Sequence, residues 1–350
     1  MEGTTVEEGA RMRRYVVVGA GAVGSAMGGL LARAGREVLL VARGEHARVA
    51  AAKGLRLRCP DGAWTVPVPV VTGPEQVRLT TDDVLLLTVK TQQAEAAVEQ
   101  WADVPVHDGT GRNAGRAGDL LPLLTALNGV AAEDIALRRF SRVFGVCVWC
   151  PTVMTDPGEV LVRGVPVRGI FHVGRYGGAR EQGEGAFLDD LVADADAADL
   201  RVLLPDDVMP WKYAKLLANL GNVLQALLGD TSGAEDVLEA ARSEARAVLA
   251  AAGVVLPGED EARAARADLE VREIPGEPAR LGGSSWQSLT RGTGNIETDY
   301  LNGEIVLMAR RLGLSAPVNA DLTALARAAA RARHRPGDLT PAELRGRLAR

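Results

Sequence analysis

The chain has 350 residues, 47% of them hydrophobic, which is enough for two packed domains with a core each. Its formal net charge of −5 argues against non-specific binding of nucleic acid. No apolar run reaches the length needed to span a bilayer, so neither nucleic acid nor a membrane is expected as a partner.

The first eleven residues are polar, carry charges of both signs and lack the apolar stretch of a secretory signal. We interpret residues 1–11 as a disordered lead-in, with Met12 as an alternative start. The chain has three cysteines, and such an odd, small number favours a reducing compartment over a disulfide framework. We therefore expect a cytoplasmic protein.

Strands and helices alternate along residues 12–205. The strands are short apolar runs, and the first helix ends at Gly35, a residue type common just after a helix. This alternation predicts a parallel, doubly wound sheet, and hence a Rossmann-like α/β domain over residues 12–205. The predicted strands are 14–18, 37–41, 83–89, 120–127, 143–150, 167–173 and 201–204, and the predicted helices are 23–34, 92–101 and 181–198.

Two segments of this half depart from the alternation. Residues 55–71 hold shorter strand-like runs with Pro67 and Pro69, which predicts edge or hairpin strands because proline cannot donate to a sheet. Residues 107–119 are polar and rich in glycine, which predicts a mobile surface loop.

Cys147 and Cys150 form a C-x-x-C pattern inside the apolar run 143–150, which reads as a buried strand. On a strand, residues three apart face opposite sides and lie roughly 10 Å apart, which is too far for a disulfide. No second cysteine pair is present to complete a zinc site. We therefore favour a structural role for both thiols and predict no metal.

Helical periodicity dominates from residue 206 onward, which predicts an all-α domain over residues 206–350. Near the end of the chain, Thr340, Pro341 and Glu343 form the pattern of a helix N-terminus with a capping box. The predicted helices are 208–228, 234–252, 259–273, 296–312, an alanine-rich stretch beyond 321, and a short terminal helix.

Residues Gly19-Ala20-Gly21-Ala22-Val23-Gly24 match the G-x-G-x-x-G pattern of dinucleotide-binding proteins. The pattern follows a predicted strand and opens a predicted helix, which is the context that supports it. The first glycine permits the tight turn, the second lets a pyrophosphate approach the backbone, and the third lets the helix pack on the strand. We expect Gly19, Gly21, Ala22, Val23 and Gly24 to bind the cofactor.

The choice between NAD and NADP is made at the end of the second strand. An acidic residue there would favour the ribose hydroxyls of NAD, whereas this chain has Arg43, which suits a 2′-phosphate. Glu45 lies close by in the sequence, and its acidic side chain would favour NAD instead. The prediction is NADPH/NADP+, and substitution of Arg43 by aspartate is expected to shift preference toward NADH.

Five motifs, in order, resemble the ketopantoate reductase family over roughly residues 12–325. The first is the glycine motif at 19–24. The others are Val89-Lys90-Thr91-Gln92-Gln93, Leu127-Asn128-Gly129, the Trp211–Asn219 segment with its lysines and asparagine, and Ser284-Ser285 followed by Glu297-Thr298-Asp299-Tyr300-Leu301-Asn302-Gly303.

The resemblance implies an NADPH-dependent reduction of a 2-keto acid, 2-dehydropantoate (ketopantoate) first, in pantothenate biosynthesis. It makes Lys215 the general acid, with Glu297 binding the product hydroxyl and interacting with Lys215. Lys215 and Asn219, four residues apart, share one helix face. A protonated lysine there can polarise the carbonyl and then donate a proton.

The resemblance also implies roles for the remaining site residues. Asn128 and Asn219 would orient substrate, Asn128 would also contact the nicotinamide, and Ser285 would hydrogen-bond the substrate carboxylate. Lys90 would contact cofactor or substrate. Only four of the forty basic residues are lysines, so a retained lysine is enriched in chemical need. Lys212, one turn before Lys215, is the competing candidate for the general acid.

Three alternatives stay open. Where familiar members continue with N-P-L after the lysine helix, this chain reads Gly221-Asn222-Val223-Leu224, so another 2-keto acid is an alternative substrate. A second alternative is a 2-hydroxyacid or opine-type dehydrogenase running in the oxidative direction. A third is a non-catalytic NADPH-sensing regulator. The oligomeric state is also open, with a homodimer as one alternative.

Overall fold

The computed structural model describes residues 13–178, 183–277, 282–292 and 294–348. The predicted lead-in 1–11 and the alternative start Met12 lie outside the described residues. Within the described residues, no helix is long and apolar enough to cross a membrane.

An eight-stranded sheet forms the centre of the first half. Its strands β1, β2 and β7 are rich in valine and leucine because both faces of the sheet are covered. All neighbours pair in parallel except β11 and β15, which are antiparallel. The order is β16-β15-β11-β10-β7-β1-β2-β5, with β1 Arg14–Val18, β2 Glu37–Val41, β5 Val70–Val71, β7 Asp83–Leu87, β10 Leu123–Thr125, β11 Val143–Trp149, β15 Gly169–Tyr176 and β16 Leu200–Leu203.

Alternate residues of each strand supply two separate cores, one on each face of the sheet. Tyr15 and Phe144 belong to one core, while Val16 and Trp101 belong to the other. The helices of this half are α1 Ala22–Arg33, α2 Gly44–Lys53, α3 Ala94–Ala102, α4 Ala117–Leu120, α5 Ala132–Leu137 and α6 Glu184–Ala197. The prediction of a doubly wound α/β fold is confirmed.

The chain leaves β1 toward β2 and β5 on one side, and then returns to β7 on the other side. The strand order therefore reverses between β1 and β7. In open α/β sheets, ligands bind at such a reversal, outside the carboxyl ends of the strands. The glycine loop after β1 and the Val89–Gln93 motif after β7 both lie at that position.

Three smaller sheets use the remaining strands of this half, and one of them contains the predicted hairpin. β3 and β4 pair antiparallel, as the prolines after them indicated. Residues 107–119 differ from the predicted loop, since β8 and β9 form an antiparallel pair and a one-turn helix follows. The strands are β3 Leu55–Cys59, β4 Gly62–Val66, β6 Leu79–Thr80, β8 Pro105–His107, β9 Asn113–Arg116, β12 Thr152–Val153, β13 Glu159–Val162 and β14 Gly164–Pro166.

The second half is helical, and the predicted division after residue 205 falls in the connection between β16 and α7. Gly221 separates α7 from α8, where one long helix was predicted, because glycine is a poor helix former. The helices are α7 Met209–Asn219, α8 Asn222–Leu228, α9 Glu235–Ala251, α10 Glu259–Ala264, α11 Ser284–Thr290, α12 Asn302–Arg311, α13 Pro317–Arg331 and α14 Pro341–Leu348.

Two further predictions for this half concern the helix at 259–273 and the terminal helix. The predicted helix 259–273 is wrong beyond Ala264, because residues 269–271 form strand β17 and pair with β14 instead. Tertiary pairing overrides a weak helical preference there. The predicted terminal helix and its capping box are confirmed, since the Thr340 amide donates to Glu343 Oε2 at 2.8 Å and the Glu343 amide donates to Thr340 Oγ1 at 3.3 Å.

Candidate active site

The three glycines after β1 differ in the space around them. A Cβ on Gly19, whose φ is +104°, would lie 2.8 Å from the Val89 amide nitrogen, and one on Gly24 would lie 2.5 Å from the Gly19 carbonyl oxygen. A Cβ on Gly21 would meet nothing within 4 Å. Gly19 and Gly24 are therefore required by the protein's own packing, while Gly21 leaves open space in which a pyrophosphate can approach.

The α1 N-terminus is suited to bind phosphate. The Ser25 amide donates to the Gly21 carbonyl at 2.8 Å and begins the helical hydrogen bonds of α1, so the amides of Ala22, Val23 and Gly24 precede them. The first turn of α1 contains no acidic residue. These amides and the helix dipole together favour an anion at this position.

Arg43 follows β2 beside the glycine loop, since the amides of Gly19 and Ala20 both donate to the Val41 carbonyl. The Arg43 side chain is exposed, and Nη2 donates to Gln100 Oε1 at 3.3 Å. Glu45 forms an ion pair with Arg48, so its carboxylate is directed to that partner. The guanidinium of Arg43 is thus available for a 2′-phosphate.

Two glycines allow helix α7 to lie close against the sheet. Gly145 of β11 and Gly174 of β15 are cross-strand partners, and Val208 packs on both. A Cβ on Gly145 would lie 2.9 Å from Val208 Cγ1, and one on Gly174 would lie 3.0 Å from Val208 Cβ. The start of α7 is therefore fixed on the sheet, and its direction brings the lysines of the helix to the ends of the strands.

Lys212 is buried and fully engaged. Its ammonium forms an ion pair with Glu133 at 2.6 Å, and it donates to the carbonyls of Leu127 at 3.1 Å and Val146 at 3.2 Å. The Thr125 hydroxyl also donates to Glu133, at 2.6 Å. All three ammonium protons have acceptors, so Lys212 ties α7 to the sheet and has no proton free for a substrate.

Lys215, one turn later, has a different environment. Its Nζ lies 3.5 Å from the centroid of the Trp149 indole, and no described carboxylate pairs with it. Burial lowers the Lys215 pKa to about 8, with the Arg266 charge acting in the same direction and the Cys147 and Cys150 thiols opposing it. Such an ammonium can give up a proton near neutral pH.

Four polar residues from both halves meet at the carboxyl ends of the strands. Asn219 Nδ2 donates to Asn128 Oδ1 at 3.2 Å, and the Thr91 hydroxyl donates to the Asn128 carbonyl at 3.2 Å. Glu297 Oε1 accepts the Thr91 amide at 3.0 Å. The expected contact of Glu297 with Lys215 is absent from the described hydrogen bonds and ion pairs, because this carboxylate is held by Thr91.

Lys90 lies beside this cluster. Its ammonium donates to the Ser288 hydroxyl, which in turn donates to the Ser284 carbonyl at 2.8 Å. Burial lowers the Lys90 pKa, while the nearby Glu297 charge opposes that shift. Ser285 is buried on the same helix as Ser288. Helix α11 therefore brings Ser288 to the loop after β7.

The structure adds residues that the sequence pattern did not single out. Thr91 links Asn128 to Glu297, and Ser288 contacts Lys90. Thr91 was inside a quoted motif, and Ser288 lies one turn after the Ser284-Ser285 pair, so spacing could have indicated both. Arg266, which lies against the Trp149 ring, carries no sequence signal because it is one of many arginines.

Two family models match the chain. The model described as "Ketopantoate reductase PanE/ApbA" matches residues 15–178, and its C-terminal counterpart matches residues 207–330. Together the two models span most of the chain, and the segment between them contains α6, β16 and the connection into α7.

Individual relatives agree with the family models. The chain is 27% identical over 320 residues to 2-dehydropantoate 2-reductase of Pyrococcus horikoshii, covering 90% of this chain and 97% of that enzyme. Its identity to the Archaeoglobus fulgidus enzyme of that name is 28% over 325 residues, covering 91% and 98%.

The fold is similar to solved structures. A PanE/ApbA family ketopantoate reductase from Ralstonia eutropha is 29% identical with a TM-score of 0.71, covering 91% of this chain and 99% of that one. A D-mandelate dehydrogenase in complex with NADH and anilino(oxo)acetate gives a TM-score of 0.72 at 22% identity, over 91% and 99% of the two chains, which is a likeness of fold.

Proposed function

Because the chain belongs to the ketopantoate reductase family, we propose that it reduces a 2-keto acid to the corresponding 2-hydroxy acid with a nicotinamide cofactor. The names of the Pyrococcus and Archaeoglobus relatives favour 2-dehydropantoate as the substrate. Arg43, with Glu45 held by Arg48, favours NADPH over NADH.

One observation carries this proposal. Of the two lysines on α7, Lys212 is saturated by a buried carboxylate and two carbonyls, whereas Lys215 has no described anionic partner and a lowered pKa. A partly buried cation without a counter-ion is unfavourable, and an anionic substrate would supply the counter-ion. Lys215 lies one turn from Asn219, which contacts Asn128 at the strand ends.

When bound, NADPH supplies the hydride that forms the new C–H bond at C2 of the keto acid. The ammonium of Lys215 donates a hydrogen bond to the C2 carbonyl oxygen and stabilises its growing negative charge. As the C=O π bond breaks, a proton passes from Lys215 Nζ to that oxygen and gives the hydroxyl group. Lys215 then regains a proton from solvent.

The other polar residues hold the reacting groups in place. Asn219 and Asn128, joined by a 3.2 Å hydrogen bond, present amides at the carboxyl ends of β10 and its neighbours. Glu297 is proposed to accept a hydrogen bond from the product hydroxyl, and Ser285 to donate one to the substrate carboxylate. Lys90 donates a hydrogen bond to Ser288, and the nearby Glu297 charge favours its protonated form. It is proposed to contact cofactor or substrate.

The test is oxidation of NADPH, followed by absorbance, with 2-dehydropantoate and a panel of branched, aromatic and short 2-keto acids. Turnover of 2-dehydropantoate with the highest kcat/KM supports the whole proposal. Higher kcat/KM with another 2-keto acid keeps the reaction and changes the substrate. NADPH binding without turnover of any of them would overturn the proposal and favour a sensor.

A further inference from the structure

The carboxylate of a 2-keto acid needs a cation near the general acid, and Arg266 is the described arginine that meets this need. Arg266 follows the end of α10, and its Cζ lies 4.2 Å from the centroid of the Trp149 indole. The Lys215 ammonium lies 3.5 Å from the centroid of that ring. Two cations from separate elements therefore share one aromatic ring.

The guanidinium of Arg266 has free hydrogen-bonding capacity. Its Nε donates to the Ala262 carbonyl at 2.8 Å, and no described carboxylate pairs with it. The two terminal nitrogens therefore keep the fork that binds a carboxylate through two parallel hydrogen bonds. Nearby acidic residues have other partners, since Asp260 pairs with Arg263 and Asp268 pairs with Arg201.

A second, independent observation at this position comes from His172. Its ring is buried, stacks on Trp211 at a centroid distance of 3.9 Å, and has no described partner for either nitrogen. Burial and the nearby Arg266 charge lower the His172 pKa to about 4, so the ring is neutral at pH 7. A buried neutral imidazole with both nitrogens unpaired is unfavourable unless a ligand or water bonds to it.

We propose that Arg266 binds the carboxylate of the 2-keto acid, so that Lys215 faces the C2 carbonyl oxygen while the guanidinium holds the neighbouring carboxylate. This proposal rests on the proposed function. Two further cations lie on the Glu297 side of the site: the Lys90 ammonium donates to Ser288 and lies near Glu297, and Arg291 lies near Lys90. In this proposal Arg266 supplies the positive charge that the substrate carboxylate needs, and Ser285 donates a hydrogen bond to the same carboxylate.

Arg266 also acts on the general acid. The titratable groups that influence the pKa of Lys215 are Arg266, which lowers it, and the Cys147 and Cys150 thiols, which raise it. Removal of the guanidinium charge is therefore expected to raise the Lys215 pKa and move the basic limb of the rate profile to higher pH. A residue that only supports the fold would not move that limb.

The test compares wild type with Arg266→Gln and Arg266→Lys, with Arg263→Gln as matched control because Arg263 is exposed on the preceding turn and pairs with Asp260. The substrates are the 2-keto acid with the highest turnover and its neutral 2-keto amide. For Arg266→Gln we expect KM for the acid to rise about 10- to 100-fold, with the KM for the amide nearly unchanged. Arg266→Lys should recover part of the loss, and the control should behave as wild type.

An acid KM within twofold of wild type in Arg266→Gln would overturn the proposal, as would an equal rise for acid and amide. If wild type turns over no 2-keto acid, the proposed function has failed. Calorimetric titration with oxamate then still tests Arg266. Binding that is lost in Arg266→Gln and kept in Arg263→Gln supports the assignment, and binding equal in both variants, or absent from wild type, contradicts it.

Discussion

Lys212 and Lys215 lie one helical turn apart and have different surroundings, and on this basis we propose a structural role for the first and a reactive role for the second. Lys212 is buried and Lys215 is partly buried, and among the described residues only Lys212 has a carboxylate partner. The difference arises from what lies opposite each side chain. Lys212 faces Glu133 and two strand carbonyls, whereas Lys215 faces an indole ring and a second cation.

The Lys215 pKa of about 8 sets the expected pH dependence of reduction. Below this value the amine is protonated and can donate, and above it the donor is lost. We expect kcat/KM for the 2-keto acid to be flat below pH 8 and to fall about tenfold per pH unit well above it. The oxidative direction should show the opposite dependence. A reduction rate that stays flat to pH 10 would rule out Lys215 as the proton donor.

Arg43 is expected to determine the choice of cofactor. Arg43→Asp removes a charge-assisted contact with the 2′-phosphate and adds a carboxylate suited to ribose hydroxyls. The ratio of kcat/KM for NADPH to that for NADH should fall about 10- to 100-fold. Arg116→Gln, which changes an exposed arginine of β9 already paired with Asp103 and Asp119, is the control and should leave the ratio nearly unchanged. An unaltered ratio in Arg43→Asp would contradict the assignment of Arg43 as the residue that binds the 2′-phosphate.

At the scale of the element, the glycines of the loop after β1 are expected to have different roles, with Gly24 needed for packing and Gly21 for cofactor binding. Gly21 has φ −79° and ψ −158°, which alanine can adopt, and a Cβ there meets no protein atom within 4 Å. Gly21→Ala should keep wild-type thermal stability yet weaken NADPH binding on the order of tenfold. Gly24→Ala should instead lose about 1–3 kcal/mol of stability, because its Cβ would press on the Gly19 carbonyl. Equal effects of the two variants on both measurements would contradict this division.

Helix α7 is held in place by Lys212, which pairs with Glu133 of α5 and donates to the carbonyls of Leu127 and Val146, so breaking the ion pair should lower the free energy of unfolding. Lys212→Met leaves Glu133 buried and unpaired, and we expect urea denaturation to show a loss of about 3–5 kcal/mol. The double variant Lys212→Met with Glu133→Leu should recover much of that loss. Lys215→Met, the same change one turn later, is the matched control and should leave stability nearly unchanged.

At the scale of the whole molecule, the candidate site exists because two halves of the chain meet at the carboxyl edge of one sheet. Thr91 and Asn128 come from the loops after β7 and β10, while Asn219 and Glu297 come from the helical half. The Lys90–Ser288 contact adds a further link between the halves. Substrate position therefore depends on how the helical half lies on the sheet.

The fold and the motif residues could be predicted because they depend on local patterns. The strand–glycine–helix order at 14–33 and the i,i+4 spacing of Lys215 and Asn219 are both visible in the sequence. Strand β17 and the Arg266–Trp149–Lys215 arrangement were missed because they arise from contacts between segments far apart in the chain. The partner of Glu297 was missed for the same reason.

The most direct measurement is NADPH oxidation with 2-dehydropantoate by wild type and Lys215→Ala, with cofactor affinity measured in parallel. We expect turnover by wild type, a fall in kcat on the order of 10²-fold or more in the variant, and unchanged NADPH affinity. Turnover by Lys215→Ala at the wild-type rate would contradict the central claim that this lysine donates the proton.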